Sequence, residues 1–165
     1  MSSGGTSGPR APEPLLRLKC NLRVEMTGTF VDLNGGGGQD PPVIGQNDNN
    51  WETNPNQHWE LYTLPGRGDD EILIKSVVSG GYLLSDGHAT KIRCERVNIW
   101  DENVRWHIEG MDWGNFNSDT HIRFRNHKHS NSYLDLANGH KENRTPMMTW
   151  DRHGGSNQVF KLWRR

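Results

Sequence analysis

Cysteine, net charge and long apolar runs are all scarce in this chain, and each scarcity removes a class of protein. Only 2 cysteines, Cys20 and Cys94, occur in 165 residues, too few and too far apart for the disulfide framework that staples small secreted domains. A reducing compartment fits. Formal charge is -1 at pH 7 and the basic residues are scattered, which argues against a nucleic-acid partner. No run approaches the roughly 20 apolar residues that span a bilayer, so no membrane insertion is expected. The opening "MSSGGTSGPRAPEPLL" has no apolar signal core. Residues 1–14 read as a flexible arm, and a cytoplasmic protein, or one released without a cleavable signal, is expected.

Helical periodicity is also missing. Gly 19 and Pro 8 punctuate the chain, and no window of about 12 residues keeps an apolar face at helical spacing. Hydrophobic residues make up only 32%, but 7 are tryptophan, so the core must be built from few, large side chains on short strands.

Self-similarity is present. "TFVDL" from Thr29, "GYLLS" from Gly81 and "SYLDL" from Ser132 recur at a period of about fifty residues. A second anchor recurs near the end of each unit: "NQHWELY" from Asn56, "NVRWHIE" from Asn103 and "NQVFKLW" from Asn157. Alternation at period two marks strands: Leu16, Leu18, Cys20, Leu22 and Val24 alternate with Arg17, Lys19, Asn21 and Arg23, and the Ile72/Ile74 and Ile122/Phe124 pairs follow suit. Strand three is expected in "PVIG", "KIRC" and "MMTW", and strand four carries Trp59 with Leu61, Trp106 with Ile108, and Phe160 with Leu162. Four strands cannot bury their own apolar face, so the three units must share one core about a pseudo-threefold axis. Trp59, Trp106 and Phe160 are then core residues.

These residues carry a likeness. Gln57-His58-Trp59 is a complete Gln-x-Trp motif, with Val104-Arg105-Trp106 and Gln158-Val159-Phe160 as degenerate copies. Over about residues 17–165 the chain resembles the ricin B-type β-trefoil lectins, and "FVDLNGGGGQDPPVIGQ" with "NPNQHWELYTLP" is most similar to the first repeat of mushroom lectins of that kind. The expectation is an all-β β-trefoil: a single domain over 15–165, with four-stranded repeats at about 17–66, 67–117 and 118–165. The resemblance implies a lectin without catalysis or cofactor, acting on galactose- or N-acetylgalactosamine-type glycans, with a homodimer as an open alternative to the monomer and defence as the family's role.

In that family a repeat's shallow sugar site combines the strand-two aspartate, an aromatic or histidine at the end of strand three, and the asparagine before Gln-x-Trp. A carboxylate can accept from two adjacent hydroxyls, an amide can donate and accept, and an indole face suits the C–H face of a galactose-like ring. The third repeat has Asp135, Trp150 and Asn157 and is the expected main site. The first has Asp32 and Asn56, with Gln46 at the strand-three position and Trp51 available from the following loop. The second, with Leu84 and Cys94 at the key positions and only Asn103 remaining, is expected to bind no sugar in this way. Alternation predicts that Leu134 and Leu136 point inward and Asp135 outward, so Asp135→Asn should remove binding and spare the fold.

Other signals are weaker. His127 and His129 could share a strand face as metal ligands, but no third donor is evident, and no metal is expected. "NGGGGQDPP" lacks the Lys and Ser/Thr of a phosphate loop. Asp32 and Asp40 do not suggest a hydrolytic pair without a deep cleft. Asn143-Arg144-Thr145 is a glycosylation acceptor expected to be unused. The alternative from another class is a β-trefoil protease inhibitor presenting a loop near Arg67, Arg93, Arg96 or Arg152; the Asp135, Trp150 and Asn157 set has no place in that reading.

Overall fold

The computed structural model describes residues 12–36, 38, 40–47 and 52–165. Twelve strands run through them: β1 Leu15–Val24, β2 Phe30–Leu33, β3 Val43–Gln46, β4 Trp59–Thr63, β5 Glu71–Ser76, β6 Tyr82–Leu84, β7 Arg93–Glu95, β8 Trp106–Glu109, β9 Arg123–Asn126, β10 Ser132–Leu136, β11 Thr145–Asp151 and β12 Phe160–Arg164. The only helical elements among the described residues are single 3-10 turns. No helix there is long and apolar enough to cross a membrane.

Six strands close a barrel. β1 pairs with β12 and β4, β4 with β5, β5 with β8, and β8 with β9, all antiparallel. A bridge between Ile122 and Phe160 joins the last strand back to β12. Closure leaves no row of unpaired backbone groups around the ring. The other six strands form the hairpins β2–β3, β6–β7 and β10–β11. They meet one another through the Gly45–Thr145 pairing and a bridge between Lys91 and Met148. This is the β-trefoil.

The core sits where the repeats meet. Trp59, Trp106 and Phe160 are fully buried, as their spacing predicts, among Leu22, Leu61, Ile74 and Phe124. The two indoles also act as ties. Trp59 Nε1 donates to the Val31 carbonyl and Trp106 Nε1 to the Leu83 carbonyl, each at 3.0 Å. Val31 and Leu83 hold the same place in β2 and β6, so each bond fastens a barrel strand to its own hairpin.

Two expectations change. Alternation puts Leu16 on the buried face of the first strand, but it is 39% exposed, because the register of β1 against β4 shifts between Leu16 and Leu18. The strand-two segments do not alternate between buried and open faces: every residue of β2 and of β10 is buried. The expected flexible arm falls mostly on residues 1–11, which lie outside the described residues.

Candidate functional site

The third repeat builds its site from β10, β11 and the 3-10 turn Ser156–Gln158 that precedes β12. Asp135 faces Met148 across the β10–β11 ladder, and Tyr133, two residues earlier, faces Trp150. The pair therefore projects from one face of the hairpin, the carboxylate nearer the turn and the indole nearer the strand end. A pocket of about 240 Å³ lies there, lined by Asp135, Asn138, Met148, Trp150, His153 and Asn157. Sequence reasoning assembled three of these six. Asn138, in the left-handed region at φ 54°, and His153 come from irregular segments without a periodic signal.

Asp135 corrects the outward prediction. It does leave the apolar side of β10, but it is only 3% exposed, because the Ser156–Gln158 turn folds over it. Asn157 Nδ2 donates to Asp135 Oδ1 at 3.1 Å and to the Leu136 carbonyl at 3.0 Å. Gln158 Nε2 donates to Asp135 Oδ2 at 2.9 Å and to the Asp151 carbonyl at 2.7 Å. His153 Nε2 lies 3.3 Å from Oδ2, and its Nδ1 accepts from the Gly155 N–H at 2.9 Å. With Nδ1 accepting, the imidazole proton belongs on Nε2, facing the carboxylate.

Three of the carboxylate's roughly four acceptor positions are thus in use. One remains for a hydroxyl, and the His153 contact, the longest of the three and made by a side chain 40% exposed, can yield a second. Burial pushes the Asp135 carboxyl above its ordinary value, opposed by the bonds from Gln158, His153 and Asn157. Asparagine at this position is not innocuous: its amide N–H would confront the donors of Gln158 or Asn157, so Asp135→Asn disturbs a buried network as well as the candidate site.

Trp150 is 42% exposed. His88, from the second repeat, packs against it with ring centroids 5.1 Å apart, and His88 Nδ1 lies 3.5 Å from an Asp151 carboxylate oxygen. An aromatic face and a polar floor thus border one shallow depression.

The first repeat repeats the framework. Gln57 Nε2 donates to Asp32 Oδ2 and to the Asn47 carbonyl, each at 3.0 Å, matching Gln158 atom for atom. Asp32 is 4% exposed, and burial raises its carboxyl, with the Gln57 bond opposing. Gln46 pairs with Phe30 as Trp150 pairs with Tyr133, confirming the equivalence of Gln46 and Trp150. Asn56 is half buried, with its Oδ1 close to Gly36. Trp51, the expected aromatic wall, lies outside the described residues.

The second repeat departs from the pattern in a linked way. Tyr82 pairs with Glu95, so Glu95, and not Cys94, stands where Gln46 and Trp150 stand; "KIRC" is displaced by one residue from the true strand. Leu84 replaces the aspartate, Val104 replaces the glutamine, and both are buried in one apolar cluster with Leu64 and Leu73. Asn103 is half buried, and its backbone carbonyl accepts from Ser85 N and Asn126 Nδ2. Aspartate and glutamine are present together twice and absent together once. The glutamine of Gln-x-Trp is therefore the residue that holds the site aspartate, a role sequence reasoning missed by treating the motif as a mark of the core. The parallel change of Leu84 and Val104 was the available signal.

The arginines offered as inhibitory contacts are mostly engaged. Arg93 makes a two-pronged pair with Asp86 at 2.6 and 2.8 Å and meets Glu95, Arg96 donates to the Ser79 carbonyl, and Arg67 lies over Trp100.

A sequence-family profile described as "Ricin-type beta-trefoil lectin domain-like" matches residues 55–150. Among solved structures, the Rhizoctonia solani agglutinin superposes with a TM-score of 0.72 at 21% identity, covering 94% of this chain and 100% of that one. The Macrolepiota procera ricin B-like lectin, solved in complex with lactose, gives 0.68 at 24% identity, with 90% and 96% covered. The C-half of an earthworm R-type lectin, solved in complex with GalNAc, gives 0.68 at 19% identity, with 90% and 99% covered. No curated protein sequence matches significantly.

Proposed function

Because the chain belongs to the ricin-type β-trefoil lectin-like family, we propose that it is a non-catalytic carbohydrate-binding protein whose main site is the pocket of Asp135, Trp150 and Asn157. The observation that carries this reading is a carboxylate held rigidly by Gln158 and Asn157 on the floor of a depression bordered by a 42% exposed tryptophan. Such a pair selects for a ring with hydroxyls on one edge and C–H groups on one face. Galactose and N-acetylgalactosamine have that shape, and two of the lectins with this fold were solved with lactose and GalNAc.

Asp135 accepts a ring hydroxyl, His153 Nε2–H turns from the carboxylate to a second oxygen, and Asn157 Oδ1 remains an acceptor because both amide N–H groups are committed. Trp150 contributes apolar contact. The first repeat supplies a second site of altered specificity, since Gln46 replaces the aromatic. Single sites this shallow bind with dissociation constants of about millimolar to micromolar, and useful affinity for glycoconjugates comes from several sites or from dimerisation. Action in the cytoplasm and a defensive role belong to the same proposal.

The test is calorimetric titration with lactose and GalNAc of the wild type, Trp150→Ala and Asp135→Asn. Binding that disappears in both variants, with folding checked by circular dichroism, supports the assignment. Unchanged binding in Trp150→Ala, or a blank glycan array with folded wild type, refutes it.

A further inference from the structure

A second set of donor atoms converges away from the Trp150 pocket. One donor each from Glu71, His107 and His127 lies within 4.8 Å of the others. Barrel pairing brings them there: Glu71 faces His107 across the β5–β8 ladder, and His107 faces Arg125 across β8–β9. His127 follows directly after β9 and is fixed by its own N–H bonded to the Arg105 carbonyl at 2.8 Å. The sequence suggested His127 with His129 and no third donor; the fold gives His127 two other partners from strands distant in sequence.

The protonation pattern suits a ligand set. His107 Nδ1 lies 3.0 Å from Asp70 Oδ2, and His107 Nε2 lies 2.8 Å from His127 Nδ1. A carboxylate can only accept, so the His107 proton is on Nδ1 and a lone pair on Nε2 faces the cluster. A carboxylate behind the far nitrogen is the outer contact that orients a metal-ligating histidine and raises its basicity. Glu71 is buried, and Arg105 Nη1 donates to its Oε2 at 2.5 Å. That bond fixes the carboxylate and offsets its charge, so the carboxylate is oriented before any ion arrives.

We propose that Glu71, His107 and His127 form a binding site for a divalent transition-metal ion of the zinc type, with two imidazole nitrogens and one carboxylate oxygen as protein ligands and water completing the coordination. Zinc bonds of about 2.0–2.1 Å in a tetrahedral site set donors about 3.4 Å apart, so the two rings need to separate by roughly half an ångström. The His127 proton now shared between the rings moves to Nε2 of the same ring, and no net charge is lost. Calcium and magnesium are disfavoured because they require six or more oxygens, whereas two imidazoles suit zinc, copper and nickel. His107 and His127 are partly open, which leaves an entry path.

The test is titration of chelator-treated full-length protein with Zn²⁺ by calorimetry, and with Co²⁺ by visible absorption, alongside His107→Asn, His127→Asn and Asp70→Asn, with His129→Asn and the exposed His121→Asn as controls. The expected result is one equivalent bound by the wild type and both controls. Affinity should fall at least about tenfold in Asp70→Asn and vanish in the two ligand variants. Asp70 is 60% exposed, so that variant keeps the test decisive even where a histidine variant folds poorly. Absence of binding in folded wild type, or equal binding in all three site variants, overturns the proposal. Because the cluster shares no residue with the Trp150 pocket, lactose titration of the same samples reads the sugar site separately.

Discussion

The second repeat is a natural control for the third, and copying it gives a quantitative test of how the site is held. Gln158→Val removes a 2.9 Å donor from a buried carboxylate and a 2.7 Å donor from the Asp151 carbonyl. A hydrogen bond to a charged group is worth about 1.5–3 kcal/mol and a neutral one about 1 kcal/mol, so this variant should lose about 2–4 kcal/mol of stability. Asp135→Leu alone strands one acceptor-seeking N–H of Gln158 and one of Asn157, at about 1–3 kcal/mol each. Combining Asp135→Leu with Gln158→Val reproduces the Leu84–Val104 pairing, which the fold already buries without any polar atom, and removes a buried charge with it. The double variant should therefore be more stable than the sum of the single losses by about 1–3 kcal/mol. Urea unfolding followed by tryptophan fluorescence measures all four corners of the cycle. Losses that add to within about 0.5 kcal/mol would refute the claim that the Gln-x-Trp glutamine exists to hold the aspartate.

Three further outcomes follow from the geometry. Trp150→Ala should leave stability within about 1 kcal/mol of wild type, because the ring is half exposed, while lactose binding disappears from the calorimetric titration. Ligand affinity should fall on acidification beginning above the usual aspartate range near 4: burial raises the Asp135 carboxyl, so protons are taken up at a higher pH than by a free aspartate, and a protonated carboxyl loses an acceptor. Calorimetric titrations from pH 7 downward read this, and a midpoint below the free aspartate value would contradict it. Gly110→Ala should lower the unfolding free energy by about 2–4 kcal/mol, since φ there is +89° and a Cβ would sit 2.3 Å from the His121 carbonyl oxygen; chemical denaturation checks it.

What could be read from the residues was whatever the threefold repetition wrote three times. The trefoil follows from strand-two anchors and Gln-x-Trp copies in register, and the burial of Trp59, Trp106 and Phe160 follows with it. What the repeats hold only once stayed hidden. His88 reaches Trp150 from a neighbouring repeat, Asn138 and His153 lie on irregular backbone, and Glu71 meets His107 and His127 only because the barrel lays β5, β8 and β9 side by side. Period-two alternation misjudged Asp135 for a related reason: it describes a strand with one dry face and one wet face, whereas β10 is covered on its second face by a turn more than twenty residues ahead. That covering explains how one carboxylate can be both buried and part of the proposed binding surface. Alternation turns it away from the core, the Gln-x-Trp turn closes over it from the side, and the depression it shares with Trp150 is where the proposed ligand sits. Where Leu84 and Val104 take those two places, the same turn closes over an apolar pair and the gap has no polar floor. On the proposed reading, binding capacity in each repeat is decided by a two-residue choice beneath the surface, while the trefoil around it is unaffected.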